Sequence, residues 1–205
     1  YLTIGILAAL QARQKTGLGQ WVETSLLEAT VSLGVYEAAN YFANGIRPEK
    51  LGQAHRGSSP YQVFQTSDGW LTIGGAQQNF FRKLCAMIGK PELPDDPRFK
   101  ANADRVKNND QIVALLQAEI VKRTTEDWMV ALEAEGIPAG PVLHHDEVFA
   151  DPQILARGMV VEVEHAKAGR QKTLGVPLKL SATPGSIRRA APTLGQHDDE
   201  IGKKN

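Results

Sequence analysis

The chain opens YLTIGILAALQARQKTGLGQ, and nine of its first ten residues are apolar or Gly, which leaves no polar face for water. Leu2 to Gln14 reads as a helix. The Thr16-Gly17-Leu18-Gly19 turn closes it, because Gly adopts left-handed backbone at a helix end at little steric cost. A helix that is apolar nearly all round is normally buried on several sides. This run is far short of the roughly 20 residues that a bilayer requires. It also lacks the charged start and small-residue cleavage site of a secretory signal. Such an element needs covering from both faces, and little downstream can do so. The expectation is a missing cover, supplied either by a longer chain from which this one is cut or by a second chain.

The following elements suggest an α/β layer. Gln20 to Thr24 is a short strand candidate. Ser25-Leu26-Leu27-Glu28 matches a capping box, in which hydroxyl and carboxylate satisfy the orphan N–H groups of a helix start. The helix it opens is expected to run through Val31, Val35, Ala38 and Phe42 to Gly45. Ile46 to Ser59, IRPEKLGQAHRGSS, is polar and Gly-containing, a linker or mobile loop. Tyr61–Phe64 and Trp70–Ile73 flank Ser67-Asp68-Gly69, and Asp-Gly between apolar runs predicts a hairpin. Helices are predicted over Asn79–Ile88, Asp104–Lys122 and from a Thr124 or Thr125 cap to Gly136, with PELPDDPRF as a rigid connector. Ile137–Leu143 is extended and Asp146–Arg157 is broken helix. Met159–Glu164 and Gln171–Leu174 form a second hairpin around Ala168-Gly169-Arg170. The remainder is Pro-rich and extended.

Balanced charge, 23 Lys+Arg against 23 Asp+Glu in 205 residues, gives no electrostatic reason to expect nucleic acid or an anionic membrane as partner. A single cysteine, Cys85, excludes an intrachain disulfide and points to a reducing cytoplasm. Its setting, FFRKLCAMIG, is an apolar helical pattern that suits a buried structural thiol better than a nucleophile.

Candidate chemistry is sparse. Neither a strand-linked G-x-G-x-x-G, a Walker A loop, H-E-x-x-H nor G-x-S-x-G occurs. His144-His145-Asp146-Glu147 offers metal-capable groups, but adjacent side chains diverge, so a solvated helix start is favoured and no metal is expected. In AHRGSSPY, His55 and Arg56 can bind phosphate or carboxylate, and Gly57-Ser58-Ser59 can present N–H and hydroxyl donors. Composition alone favours a surface linker for the same residues. Gly74-Gly75 before Gln77-Gln78 either lets the backbone approach a ligand or turns the chain into the next helix.

Taken together, ILAALQARQKTGLGQWVETSLLEA, His55, Pro60-Tyr61, Phe64, Asp68-Gly69, Phe80, DDPRF with Arg105 and Asn108, GIPAGPV, DPQ with Arg157-Gly158-Met159, and PLKLSATPG with AP-x-LGQH resemble the class III CoA-transferases. That family includes carnitine, bile-acid and formyl-CoA transferases, and the α-methylacyl-CoA racemases share its pattern. Glu23 stands where Asp is usual and keeps the charge.

The resemblance implies an α/β chain with an α+β small domain and an intertwined homodimer. Residues 1–45 would be part of a Rossmann-like large domain and 46–59 a linker or flap. Residues 60–165 would form the small α+β domain, and 166–205 a return segment packing on the large domain. It places the nucleophilic Asp upstream of Tyr1, leaves no catalytic residue in this chain, and predicts that the chain alone is inactive. The implied reaction moves CoA between carboxylic acids, with CoA thioesters as substrates and no covalently bound cofactor. A carboxylate attacks the thioester to give an anhydride and then an aspartyl-CoA thioester, shielded from water. His55, Arg56, Gly57, Ser58, Ser59 and Gln77 are the candidate substrate-binding residues. RGSS replaces the family's glycine run and should make the flap stiffer. Gln77 matches the loop position where the racemases carry a carboxylate base. An amide cannot abstract a proton, which favours transferase over a racemase-like isomerase. A third alternative is a non-catalytic interaction module.

Overall fold

A computed structural model describes residues 1–202, which divide into two compact units, Tyr1–Gly52 and Gln53 onward.

The first unit is helical. α1 (Leu2–Thr16) ends at Gly17, whose φ of 74° is the left-handed cap, with its N–H donating to the Arg13 carbonyl at 2.8 Å. α2 (Leu26–Leu33) starts on the predicted capping box: the Ser25 hydroxyl accepts from the Glu28 N–H at 3.1 Å, and the Glu28 carboxylate accepts from the Ser25 N–H at 2.8 Å. The long helix expected from here is two, because the turn breaks at Gly34 before α3 (Val35–Asn44). Gln20–Thr24 is not a strand: among the described residues the first unit contains no other strand for it to pair with. No residue of α1, α2 or α3 is buried, and Trp21, Leu26 and Phe42 are each more than four-fifths exposed.

The second unit holds the core. β1 (Tyr61–Gln65) and β2 (Trp70–Gly74) form the predicted antiparallel hairpin, and β3 (Ala139–Pro141) pairs antiparallel with β2. One face is buried, as in an ordinary antiparallel sheet: Phe64, Leu71 and Ile73 are at most 1% exposed. Between β2 and β3 the chain makes α4 (Gln78–Met87), a 3-10 turn at Leu93–Asp95, α5 (Asn102–Lys107), α6 (Asn109–Ile120) and α7 (Thr125–Ala134). Their inward residues complete the core: Phe81, Leu84 and Cys85 from α4, Ile112, Leu116 and Ile120 from α6, Trp128 and Leu132 from α7. The helix expected over Asp104–Lys122 is broken at Asn108, whose side-chain amide donates to the carbonyls of Asp104 (2.9 Å) and Arg98 (3.1 Å).

Two contacts fix the sheet. The Asp68 carboxylate accepts from the N–H of Thr125 (2.8 Å) and the hydroxyls of Thr125 (3.0 Å) and Thr66 (3.1 Å), so the hairpin turn is bolted to the start of α7. At the edge of β1 the Gln117 side-chain amide accepts from the Gln65 N–H at 2.9 Å and donates to the Gln65 carbonyl at 2.8 Å, which blocks part of an open strand edge. Beyond the core lie α8 (His145–Ala150), α9 (Pro152–Ala156) and the second predicted hairpin, β4 (Val160–His165) with β5 (Gly169–Leu174). An extended stretch then leads to α10 (Asp198–Ile201). None of the described helices is long and apolar enough to cross a membrane.

Candidate functional site

Arg105 organises the candidate loops. It is fully buried on α5, with its guanidinium stacked 4.3 Å over the Phe81 ring. Nε donates to the Ser59 carbonyl (2.7 Å), Nη1 to the Phe99 carbonyl (3.0 Å) and the Gln78 side chain (2.9 Å), and Nη2 to the Ala76 carbonyl (2.6 Å). A planar five-donor fork suits this task, since it reaches several acceptors from one rigid group. It ties the loop before β1 to the loop after β2. The charge has no carboxylate partner among the described residues, and burial pulls its pKa below the ordinary arginine value.

The loop of residues 55–60 is held from below. Asn102 donates to the Gly57 carbonyl at 2.8 Å and accepts from the Ser59 N–H at 3.1 Å. The Ser59 hydroxyl donates to the Asn109 side chain at 2.7 Å, so both Ser59 donors point into the protein. The Ser59–Pro60 peptide is cis. Gly57 donates its N–H to His55 Nδ1 at 3.1 Å, and the His55 ring meets Tyr61 edge-on with centroids 5.3 Å apart. Arg56 and Ser58 are half-buried.

Of the six candidate residues, His55 and Gln77 line two separate concavities, and Arg56, Gly57, Ser58 and Ser59 line neither. His55 lines the first, of about 470 Å³, on the outer face of the sheet with Tyr61, Val63, Thr72 and Gly74. Gln77 lines the second, of about 480 Å³, where α4 begins. The two glycines serve close packing rather than a left-handed turn, as neither has positive φ. A Cβ on Gly74 would lie 3.3 Å from Pro138 and Tyr61, and one on Gly75 would lie 3.1 Å from Leu84. The approach they allow is to the protein's own side chains.

Sequence reasoning overlooked the lining residues Arg82 and Lys100 and the role of Arg105. Arg105 did carry a signal: it lies seven residues before Ile112, in line with the buried face of Ile112, Leu116 and Ile120. A charge on a core stripe is unusual enough to mark.

The remaining chemically capable groups are structural. Glu147 accepts from the His144 N–H at 2.6 Å, which makes His144-His145-Asp146-Glu147 a helix start. No group of three or more His, Cys, Asp or Glu among the described residues is placed to hold a metal ion. Cys85 is buried and its thiol is pushed up to about 12 by desolvation, so it stays protonated and unreactive near neutrality.

Comparison with known proteins supplies the rest. The chain is 34% identical to human succinyl-CoA:glutarate CoA-transferase over 97% of its own length and 45% of that protein. It is 33% identical to succinate–glutarate CoA-transferase of Agrobacterium fabrum (98% of this chain, 50% of that one). It is 32% identical to acetyl-CoA:oxalate CoA-transferase of Acetobacter aceti (100% and 51%). A crystal structure of a CAIB/BAIF family protein from Brucella suis superposes with TM-score 0.80 at 33% identity, over 97% of this chain and 51% of that one. The chain thus spans about half the length of the curated relatives it matches. The family model described as CoA-transferase family III matches residues 1–198, and the chain belongs to that family.

Proposed function

We propose that this chain forms part of an acyl-CoA:carboxylate CoA-transferase and contributes the loops that border the substrate. The observation that carries the reading is the family match over residues 1–198 together with relatives whose names all describe CoA transfer. In this reading a carboxylate attacks the donor thioester, forming an acyl–carboxylate anhydride and releasing CoA thiolate. The thiolate then attacks the enzyme's carbonyl to give an aspartyl-CoA thioester and frees the donor acid. The acceptor carboxylate attacks that thioester to give a second anhydride and CoA thiolate, and the thiolate then attacks the acceptor's carbonyl, releasing acceptor-CoA and the free Asp carboxylate. The reacting Asp lies outside this chain, and the chain alone is inactive. The acceptors are dicarboxylic acids such as glutarate, as in the relatives named above.

The arrangement proposed for the complete enzyme is a cytoplasmic, intertwined homodimer. Its Rossmann-like large domain uses residues 1–45 and 166–205, and its small domain uses residues 60–165. The exposed apolar side chains of α1, α2 and α3 support this, because a patch of that extent is normally covered. His55, Arg56, Gly57, Ser58, Ser59 and Gln77 border the substrate, with the 55–60 loop held stiffly by Asn102, Asn109 and Arg105. A neutral amide at Gln77 suits transfer rather than α-proton abstraction.

The test joins this chain behind the front half of the Agrobacterium fabrum relative. The expected result is CoA transfer from succinyl-CoA to glutarate by the folded chimera and none by the chain alone. Turnover by the chain alone would refute the placement of the nucleophile. Exchange of the α-proton of 2-methylacyl-CoA without CoA transfer would refute the transferase reading.

A further inference from the structure

The concavity beside Gln77 is electrostatically one-sided. Arg82, Lys100 and Arg105 line it, and Asp95 is the one carboxylate among its lining residues. Arg82 and Lys100 are exposed, and neither takes part in an ion pair or hydrogen bond among the described residues. Their neighbours do: Lys83 pairs with Glu135 at 3.2 Å and Arg98 with Asp96 at 2.7 Å.

Beneath them, the buried guanidinium of Arg105 hydrogen-bonds only to carbonyls and an amide and stacks on a ring, and Asp104 acts on it through space without forming an ion pair. A buried charge without a counter-ion is costly, and an anion in the adjoining concavity would relieve that cost. No side chain caps α4, whose first turn lies in the same wall, so main-chain N–H groups there add to the positive potential.

We propose that this concavity is a carboxylate-binding subsite, in which Arg82 and Lys100 grip the non-reacting carboxylate of a dicarboxylic acceptor while Arg105 holds a fixed positive charge below it. The proposal rests on the CoA-transfer reading for the identity of its ligand. A planar two-oxygen group matches the Arg82 fork, and the Gln77 amide offers a further donor. The subsite would select acids with a second carboxylate over monocarboxylic acids, because only the former replaces water on two otherwise unpaired cations.

The test uses the whole chain in solution. Glutarate is titrated against amide NMR resonances at fixed ionic strength, with dimethyl glutarate, propionate and inorganic phosphate as parallel probes. The same titration is repeated on the Arg82→Gln, Lys100→Gln double variant, in which both changed side chains are exposed and form no hydrogen bond or ion pair among the described residues. The expected result is saturable glutarate shifts confined to residues 76–82 and 95–105. Affinity should fall by about tenfold or more in the double variant, the loss expected for charge-assisted contacts, and dimethyl glutarate should not bind. Absence of saturable binding, equal affinity in the double variant, or equal binding of propionate overturns the proposal. Inorganic phosphate binding more tightly than glutarate also overturns it and marks a phosphate site instead. Failure of the chimera to transfer CoA while glutarate still binds here would instead count against the transfer reading.

Discussion

Replacing Arg105 with Leu removes every donor from the guanidinium while leaving its acceptors in place. The Ser59 and Phe99 carbonyls are bonded in buried positions, whereas the Gln78 amide and the Ala76 carbonyl are partly open to water. A buried acceptor stripped of its donor costs roughly 1–3 kcal/mol, and one that water can reach costs well under that. The two buried carbonyls therefore set a gross loss of about 2–6 kcal/mol, which relief of the buried charge partly offsets. The expected net loss is about 3 kcal/mol, a large share of a typical domain's 5–15 kcal/mol. Urea unfolding followed by near-UV circular dichroism measures it. Hydrogen exchange should quicken at residues 57–59 and 76–78 together, because one side chain ties both. Arg105→Lys, with a point charge and shorter reach, should fall between wild type and Leu. A loss below about 1 kcal/mol, or a full loss with exchange in both loops unchanged, would refute the assignment of Arg105 as the tie between them.

Three further outcomes follow from the same geometry. Gly75→Ala places a Cβ 3.1 Å from Leu84 and 3.4 Å from Pro60, and should lower the unfolding free energy measured in urea by about 1–2 kcal/mol without changing the overall fold. The Asp68 carboxyl is held below its ordinary value of 3.8, chiefly by the Thr125 N–H. Its contribution is therefore present above 3.8 and lost as pH falls through the lower folded value, so wild type and Asp68→Asn should differ in stability at neutral pH and converge under strong acid. Cys85, with its thiol raised to about 12, should resist a thiol reagent at pH 8 until the chain is unfolded. Because the unfolded thiol ionises near its ordinary value of 9.0, stability should fall as pH rises above that point toward 12.

What could be read from sequence was what is decided locally. The hairpin turn at Asp68-Gly69, the Ser25–Glu28 capping box and the helix-ending glycines at 17, 45 and 136 each depend on residues a few positions apart. The breaks were harder to see. Asn108 ends α5 by bonding back to the Asp104 carbonyl and across to Arg98, a competition between side chain and helix that periodicity does not register. Gln20–Thr24 contains the strand formers Trp21, Val22 and Thr24, but propensity alone makes no sheet without a partner. The Arg105 cluster gathers Ser59, Ala76 with Gln78, and Phe99 from three places along the chain, so only the folded arrangement reveals it. His55 and Gln77 were grouped by resemblance, and the structure puts them on separate concavities.

In the proposed function the reacting carboxylate lies outside these residues while the loops within them border the substrate. Intact and peptide mass spectrometry of the chimera, quenched during incubation with succinyl-CoA, tests this directly. The account predicts a CoA adduct on an Asp of the front half and none on residues 1–205. An adduct on a carboxylate within residues 1–205 would contradict it.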